Sequence, residues 1–125
     1  MIRKGYTGKE VSSSGPYSHA IDSGDFIYFS GQTAYNGIHY HGEKYDIATQ
    51  AKKCFDHLKD VMDVAGVDFD QVVKVNVYLT SMQHFDEMNA IYQEIFAHPF
   101  PARTCVAVLE LPLGADIEIE CIVKK

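Results

Sequence analysis

The sequence predicts an α+β fold: a single mixed sheet with two helices packed on one of its faces, in the order β-β-β-α-β-α-β-β. Three observations carry this. Two longer segments repeat apolar residues at helical spacing, each with one apolar stripe. Several short segments rich in β-branched and aromatic residues alternate with a period of two. Turn-forming Gly, Pro, Asn and Asp fall between them. Two helices with one apolar stripe each are housed most economically on the same side of a sheet, which leaves its other face uncovered.

The elements follow in order. Residues 2–6 form a short possible strand, and Ser12-Ser13-Ser14-Gly15-Pro16 is loop chemistry. Residues 17–22 are extended and end in the tight turn Asp22-Ser23-Gly24-Asp25, where Gly24 can take positive φ. Phe26-Ile27-Tyr28-Phe29 is a strand running into Ser30-Gly31-Gln32, and Asn36-Gly37 is a second hairpin-type turn. Asp46 is a helix N-cap, followed by Ile47, Ala51, Cys54, Leu58, Val61, Met62 and Ala65 at helical spacing, with Gly66 as the stop. This helix of about five turns covers the core and carries no chemistry. Residues 71–80 are a strand with Val73, Val75, Val77 and Leu79 on one parity. Thr80 with Gln83 resembles a capping box. Phe85, Met88, Tyr92 and Ile95 then mark the apolar stripe of the second helix. Pro99 and Pro101 end it and launch a strand through Arg103. A turn at Leu113-Gly114-Ala115 leads to a final strand over residues 116–123.

A chain of 125 residues suits one domain, residues 1–125. Its net charge of -6 speaks against a general nucleic-acid binder, which uses a basic face. Three cysteines with no CxxC pair point to a reducing compartment rather than a disulfide framework. No apolar run reaches about 18 residues, so no membrane span is expected. Met1-Ile2-Arg3-Lys4-Gly5 lacks the apolar region of a signal peptide. The expectation is a soluble cytoplasmic protein.

The chemistry-bearing residues gather in the last two strands. There Thr104, Val106 and Val108 read as a packing face, with Arg103, Cys105 and Ala107 opposite. In the final strand Ile117, Ile119, Cys121 and Val123 pack, with Asp116, Glu118 and Glu120 opposite. On this reading the uncovered face carries Arg103, Cys105, Glu118 and Glu120. Eight Tyr and seven Phe make self-association across that face the expectation, with sites at the seams of a homo-oligomer.

Arg103 needs an anion: either a structural salt bridge to Glu118 or Glu120, or a substrate carboxylate held by two parallel hydrogen bonds. Glu118 and Glu120 can divide acid and base roles, although Glu120 also reads as an exposed acidic edge. Cys105 has a cation nearby to lower its thiol pKa, but no His stands at a partner position, and a small buried hydrophobe is the plainer reading. His39 and His41 share a strand face without a third or fourth ligand, so no metal is expected. No GxGxxG, GxxxxGK[ST] or GxSxG occurs. By themselves Gly15-Pro16-Tyr17 and Ser30-Gly31-Gln32 are turns, and Asn89 is a polar-face helix residue.

Pro101-Ala102-Arg103-Thr104-Cys105-Val106, continued by Leu111-Pro112 and Ile117-Glu118-Ile119-Glu120, resembles the signature of the RidA/YjgF family, the reactive-intermediate imine deaminases. The resemblance extends to Gly15-Pro16-Tyr17, Phe29-Ser30-Gly31-Gln32 and Asn89-Ala90-Ile91-Tyr92, and so covers nearly the whole chain in order. It implies a chorismate-mutase-like subunit in a homotrimer with clefts between neighbours, and no cofactor. It also implies hydrolysis of 2-imino acids and their enamine tautomers, of the 2-iminopropanoate and 2-iminobutanoate type, to 2-oxo acids and ammonia.

Its functional positions match here at Tyr17, Ser30, Gly31, Asn89, Arg103, Cys105 and Glu118. By that resemblance Arg103 clamps the substrate carboxylate. Glu118, with a backbone carbonyl near Cys105, holds and deprotonates a water. Tyr17 and Ser30 bind substrate or relay protons, Asn89 orders the cleft wall, and Gly31 allows close backbone approach. Thr104 stands where Ser is more usual, on the expected packing face, and Leu109-Glu110 and Leu113-Gly114 differ from common versions in a loop that bears on side-chain preference. The competing functions are a non-catalytic sensor of small carboxylates using the same Arg103, a ribonuclease or translation inhibitor, which the acidic balance opposes, and a scaffold.

Overall fold

Alternation in six short segments produces one six-stranded sheet in the computed structural model, which describes residues 3–36 and 44–125. Its strands are β1 (Lys4–Tyr6), β2 (Ala20–Asp22), β3 (Phe26–Thr33), β4 (Val72–Leu79), β5 (Ala102–Ala107) and β6 (Ile117–Lys124). The helices are α1 (Ile47–Ala65) and α2 (Phe85–Ile95), so the element order is the expected one. The strands lie in the order β1-β2-β3-β6-β4-β5. All pairs are antiparallel except β4 with β5, whose parallel connection is the crossover through α2.

Both helices cover one face. From α1 the side chains of Ala51, Cys54, Phe55, Leu58, Val61 and Met62 are buried, and from α2 Met88, Ile91 and Tyr92. They meet Val75, Val77 and Leu79 of β4 and Ile117, Ile119, Cys121 and Val123 of β6 in one core. Each large apolar side chain fully buried there contributes about 1.5–3 kcal/mol.

Local signals behave as their chemistry requires. Asp46 caps α1 by accepting from Thr49 N at 2.8 Å, and Gly66 ends it at φ 77°. Gly24 turns at φ 113°. The second helix is capped one residue later than expected: Ser81 accepts from Gln83 N and opens a short 3-10 turn ahead of α2. Thr80 instead donates to Asp116 Oδ1 at 2.8 Å, tying the β4 end to β6.

Two parity expectations are corrected. A register shift between Val72 and Lys74 turns Val72 inward and leaves Val73 exposed. More consequentially, β5 is reversed. Val75 stands in register with Arg103 and Val77 with Cys105, so Arg103 and Cys105 point to the helix-covered side. Thr104 and Val106 stand level with Asn76 and Tyr78 and face the open side. The reason is that β5 is an edge strand where the helix layer thins out. A guanidinium can sit against α2 there and still reach water, so apolarity does not dictate which parity turns inward.

Among the described residues no helix is long and apolar enough to cross a membrane, and no group of three or more His, Cys, Asp or Glu could hold a metal ion. His39 and His41 lie outside the described residues, as does Gly37 of the second turn.

Candidate functional site

Arg103 is built into a socket. Its Nη1 donates to Asn89 Oδ1 at 2.6 Å and lies 4.0 Å from Met88 Sδ. Its guanidinium carbon lies 4.7 Å from the centre of the Tyr92 ring and 5.6 Å from that of Phe85. These groups share a stripe of α2 by helical spacing, residues 85, 88, 89 and 92. The guanidinium is thus oriented by an amide and two π faces. No carboxylate pairs with it among the described residues, which removes both salt bridges expected as alternatives. A guanidinium carries five N–H donors, and among the described residues only Nη1 is engaged with side chains. A cleft of about 280 Å³ opens beside it, lined by Asn89, Tyr92, Gln93, Phe100, Pro101 and Arg103.

Cys105 lies on the same side of the sheet, partly buried against the core. Burial pushes its thiol pKa up, and the pull of nearby Arg103 in the other direction is smaller. A thiol so placed stays protonated at neutral pH, which matches the plainer reading of a small hydrophobe.

Glu118 lies on the opposite, open face, level with Tyr78 and Thr33. The strand pairing of β3 with β6 is irregular between Phe29 and Gln32, so Ser30 and Gly31 sit in a bulge. The Glu118 side chain folds onto it: a Cβ at Gly31 would stand 2.9 Å from Glu118 Oε1. Gly31 therefore makes room for a side chain of its own chain. No side-chain donor reaches the Glu118 carboxylate among the described residues. Its pKa is raised, first by burial and then by the charge of Glu120.

Glu120, expected as a bare acidic edge, is half-buried and accepts hydrogen bonds from Tyr78 and Asn76. That bond, with burial, pushes the Tyr78 phenol up to about 12.

Ser30 Oγ donates to Ser18 O at 2.7 Å, so its proton is committed and its lone pairs remain free to accept. Tyr17 is 45% exposed, its hydroxyl 3.4 Å from Ser14 Oγ. The loop carrying Tyr17 is anchored by a residue the sequence did not single out. Buried His19 accepts from Gly8 N through Nδ1 at 2.9 Å and reaches Ser13 Oγ through Nε2 at 3.0 Å. Phe85 and Tyr92, expected as core, double as the socket of Arg103; their shared stripe with Asn89 was the available signal.

Seven expected site residues thus form two groups rather than one. Asn89, Arg103 and Cys105 lie on the helix-covered side. Gly31 and Glu118 meet on the open face, and Ser30, beside Gly31 in the bulge, is tied to Ser18 in the segment that carries Tyr17. Within one chain β6 and β5 are separated by β4, which sets Glu118 level with Tyr78 and Arg103 level with Val75, so the two stand two strand spacings (about 10 Å) apart across the sheet, three residues apart along it, and on opposite sides of it.

Known proteins are similar to this chain in sequence and fold. The family model described as "Endoribonuclease L-PSP" matches residues 7–125. The mitochondrial protein mmf1 of Schizosaccharomyces pombe is 41% identical over 117 residues, covering 90% of this chain and 70% of that protein. The 2-iminobutanoate/2-iminopropanoate deaminase of Dermatophagoides farinae is 38% identical over 109 residues, covering 87% of this chain and 85% of that protein. The crystal structure of the YjgF gene product from E. coli superposes with a TM-score of 0.86 at 34% identity, covering 98% of each chain. A family match over almost the whole length, in the fold and motif order described above, shows that the chain belongs to the RidA/YjgF family.

Proposed function

We propose that the protein hydrolyses 2-imino acids and their enamine tautomers to 2-oxo acids and ammonia, at sites completed by a second copy of the chain. The observation that carries this is Arg103: a guanidinium oriented by Asn89 and Tyr92, without a carboxylate partner among the described residues, beside an open cleft. The deaminase name of the Dermatophagoides farinae relative supports the same reading.

Arg103 presents its remaining donors to the substrate carboxylate and so fixes C2 of the imine. The protonated C=N bond is attacked there by water. Glu118 takes a proton from that water as the C–O bond forms, and returns it to nitrogen. Collapse of the carbinolamine breaks the C–N bond to release ammonia and forms the C=O bond, the hydroxyl proton passing back to the Glu118 carboxylate and from there to solvent. A carboxylate whose pKa is raised suits both proton transfers. Tyr17 and Ser30 oxygens, the second carried by the bulge on which Glu118 rests, accept or relay hydrogen bonds from the amino group. Because the Arg103 and Glu118 groups occupy opposite sides of one sheet, the reading requires Glu118 to come from a neighbouring subunit, as in a homotrimer with clefts at its seams. Such imines hydrolyse slowly in water unaided, and each tenfold acceleration needs only about 1.4 kcal/mol.

The test generates imines in situ from several amino acids with an amino-acid oxidase and follows 2-oxo acid release with and without the protein. Acceleration that disappears in Arg103→Ala is expected. Equal rates with and without the protein for every amino acid would sink the proposal, and tight 2-oxo acid binding without turnover would leave the sensor reading in its place. A ribonuclease role fits the open face less well, since Glu118 and Glu120 would confront phosphate there.

A further inference from the structure

The cleft beside Arg103 has a chemical character beyond the clamp itself. Among the described residues Arg103 is its only ionic group. The Asn89 amide oxygen is committed to Arg103, so the uncharged polar groups of the lining are the Asn89 NH2, the Gln93 amide and the buried Tyr92 hydroxyl. The remaining walls are the Tyr92 ring, Pro101 and Phe100. Phe100 is 42% exposed, so its ring is open to a ligand in the cleft. It is held at the mouth of the cleft by the His98 ring, 4.2 Å between centres and tilted by 56°. Three residues upstream of Arg103, it lines the same cleft and stands where a group attached to a clamped carboxylate would pass.

From this we infer that Phe100 is a specificity-determining residue, and that the cleft selects monocarboxylates bearing an apolar side chain, up to branched and aromatic ones. The inference rests on the Arg103 clamp proposed above. A carboxylate on Arg103 places its substituent against Phe100, Pro101 and the Tyr92 ring. Burial of each methylene there removes apolar surface from water. A second carboxylate on the substrate finds no second cation among the described lining residues, only amide donors that offset part of its lost hydration.

The experiment measures binding of product acids, so it does not depend on turnover. 2-Oxopropanoate, 2-oxobutanoate, 4-methyl-2-oxopentanoate, 3-phenyl-2-oxopropanoate and 2-oxoglutarate are titrated by calorimetry into the wild type, Phe100→Ala, Phe100→Leu and Arg103→Ala, each checked for native thermal unfolding. In the wild type affinity should rise about three- to fourfold per buried methylene, with 2-oxoglutarate weakest. In Phe100→Ala the gradient should collapse, so that the longer acids bind no better than 2-oxopropanoate, and Phe100→Leu should restore most of it. An undiminished gradient in Phe100→Ala, with binding still lost in Arg103→Ala, overturns the role of Phe100 and leaves the clamp standing. Wild-type affinity in Arg103→Ala overturns the clamp, and this inference with it. 2-Oxoglutarate binding as tightly as the branched acid refutes the apolar selectivity.

Discussion

The side chain of Glu118 rests on Gly31: a methyl group at position 31 would stand 2.9 Å from Oε1 and 3.1 Å from Cγ. The atoms in the way belong to a side chain rather than to the backbone. Gly31→Ala should therefore shift the carboxylate by tenths of an ångström and leave the sheet intact. Imine turnover is expected to fall by about tenfold, equivalent to ~1.4 kcal/mol, with little change in thermal unfolding. Steady-state kinetics beside calorimetric unfolding separate the two effects. Unchanged turnover would remove Glu118 from the chemistry.

The raised pKa of Glu118 has a defined sign. The folded protein holds the proton more tightly than the unfolded chain does. The ionised form is thus a cost to folding, absent below the ordinary glutamate range near 4.3 and growing as pH rises through the folded value. Glu118→Gln should raise the Tm at pH 8, with the gain fading toward pH 4. Its turnover should be lost throughout. In the wild type kcat should fall on the acid side at a pH above that of an unperturbed glutamate, as measured in a pH-rate profile.

Asn89 holds Arg103, whose Nη1 donates to its Oδ1 at 2.6 Å, and on the proposed reading it acts on substrate through that contact. Asn89→Ala frees the guanidinium to rotate and should raise KM for imines roughly tenfold or more, the size of a hydrogen bond to a charged group. Asn89→Asp is the sharper experiment. It supplies the missing carboxylate, pairs the cation internally, and should weaken 2-oxo acid binding more than the alanine variant does. Calorimetric titration ranks the two.

Tyr92 places its ring under Arg103 while its hydroxyl is buried without a hydrogen-bond partner among the described residues. Tyr92→Phe keeps the ring and removes the unsatisfied group, so stability should hold or rise by about 1 kcal/mol. Tyr92→Leu loses the π face and the ring contacts to Phe55 and Phe96, and should cost about 2 kcal/mol or more together with carboxylate affinity. Urea unfolding of the three proteins decides.

The architecture was legible because its signals are local and repeated: Asp46 and Gly66 bound α1, Gly24 turns the first hairpin, and each helix declares one apolar stripe. The face of β5 was not. Thr104, Val106 and Val108 look like a core parity, but hydrophobicity assigns a face only where a layer covers it, and at the sheet edge α2 offers Arg103 an amide and two rings instead. The bulge at Ser30 and Gly31 was equally hidden, since a glycine in a strand does not say which side chain will occupy its space. Motif resemblance gathered the seven site residues into one list, and only the register of β4 with β5 and β6 separates them into two groups.

The division of those residues between the two sides of one sheet has a genetic consequence. A chain lacking Arg103 and a chain lacking Glu118 are damaged in different halves. If each site draws one half from each of two subunits, the two inactive proteins should rescue one another when unfolded and refolded together. In a randomly mixed cyclic assembly about a quarter of the seams would join an intact Arg103 to an intact Glu118, and turnover should return to that level. Two variants in the same half, such as Arg103→Ala with Asn89→Asp, should show no such rescue.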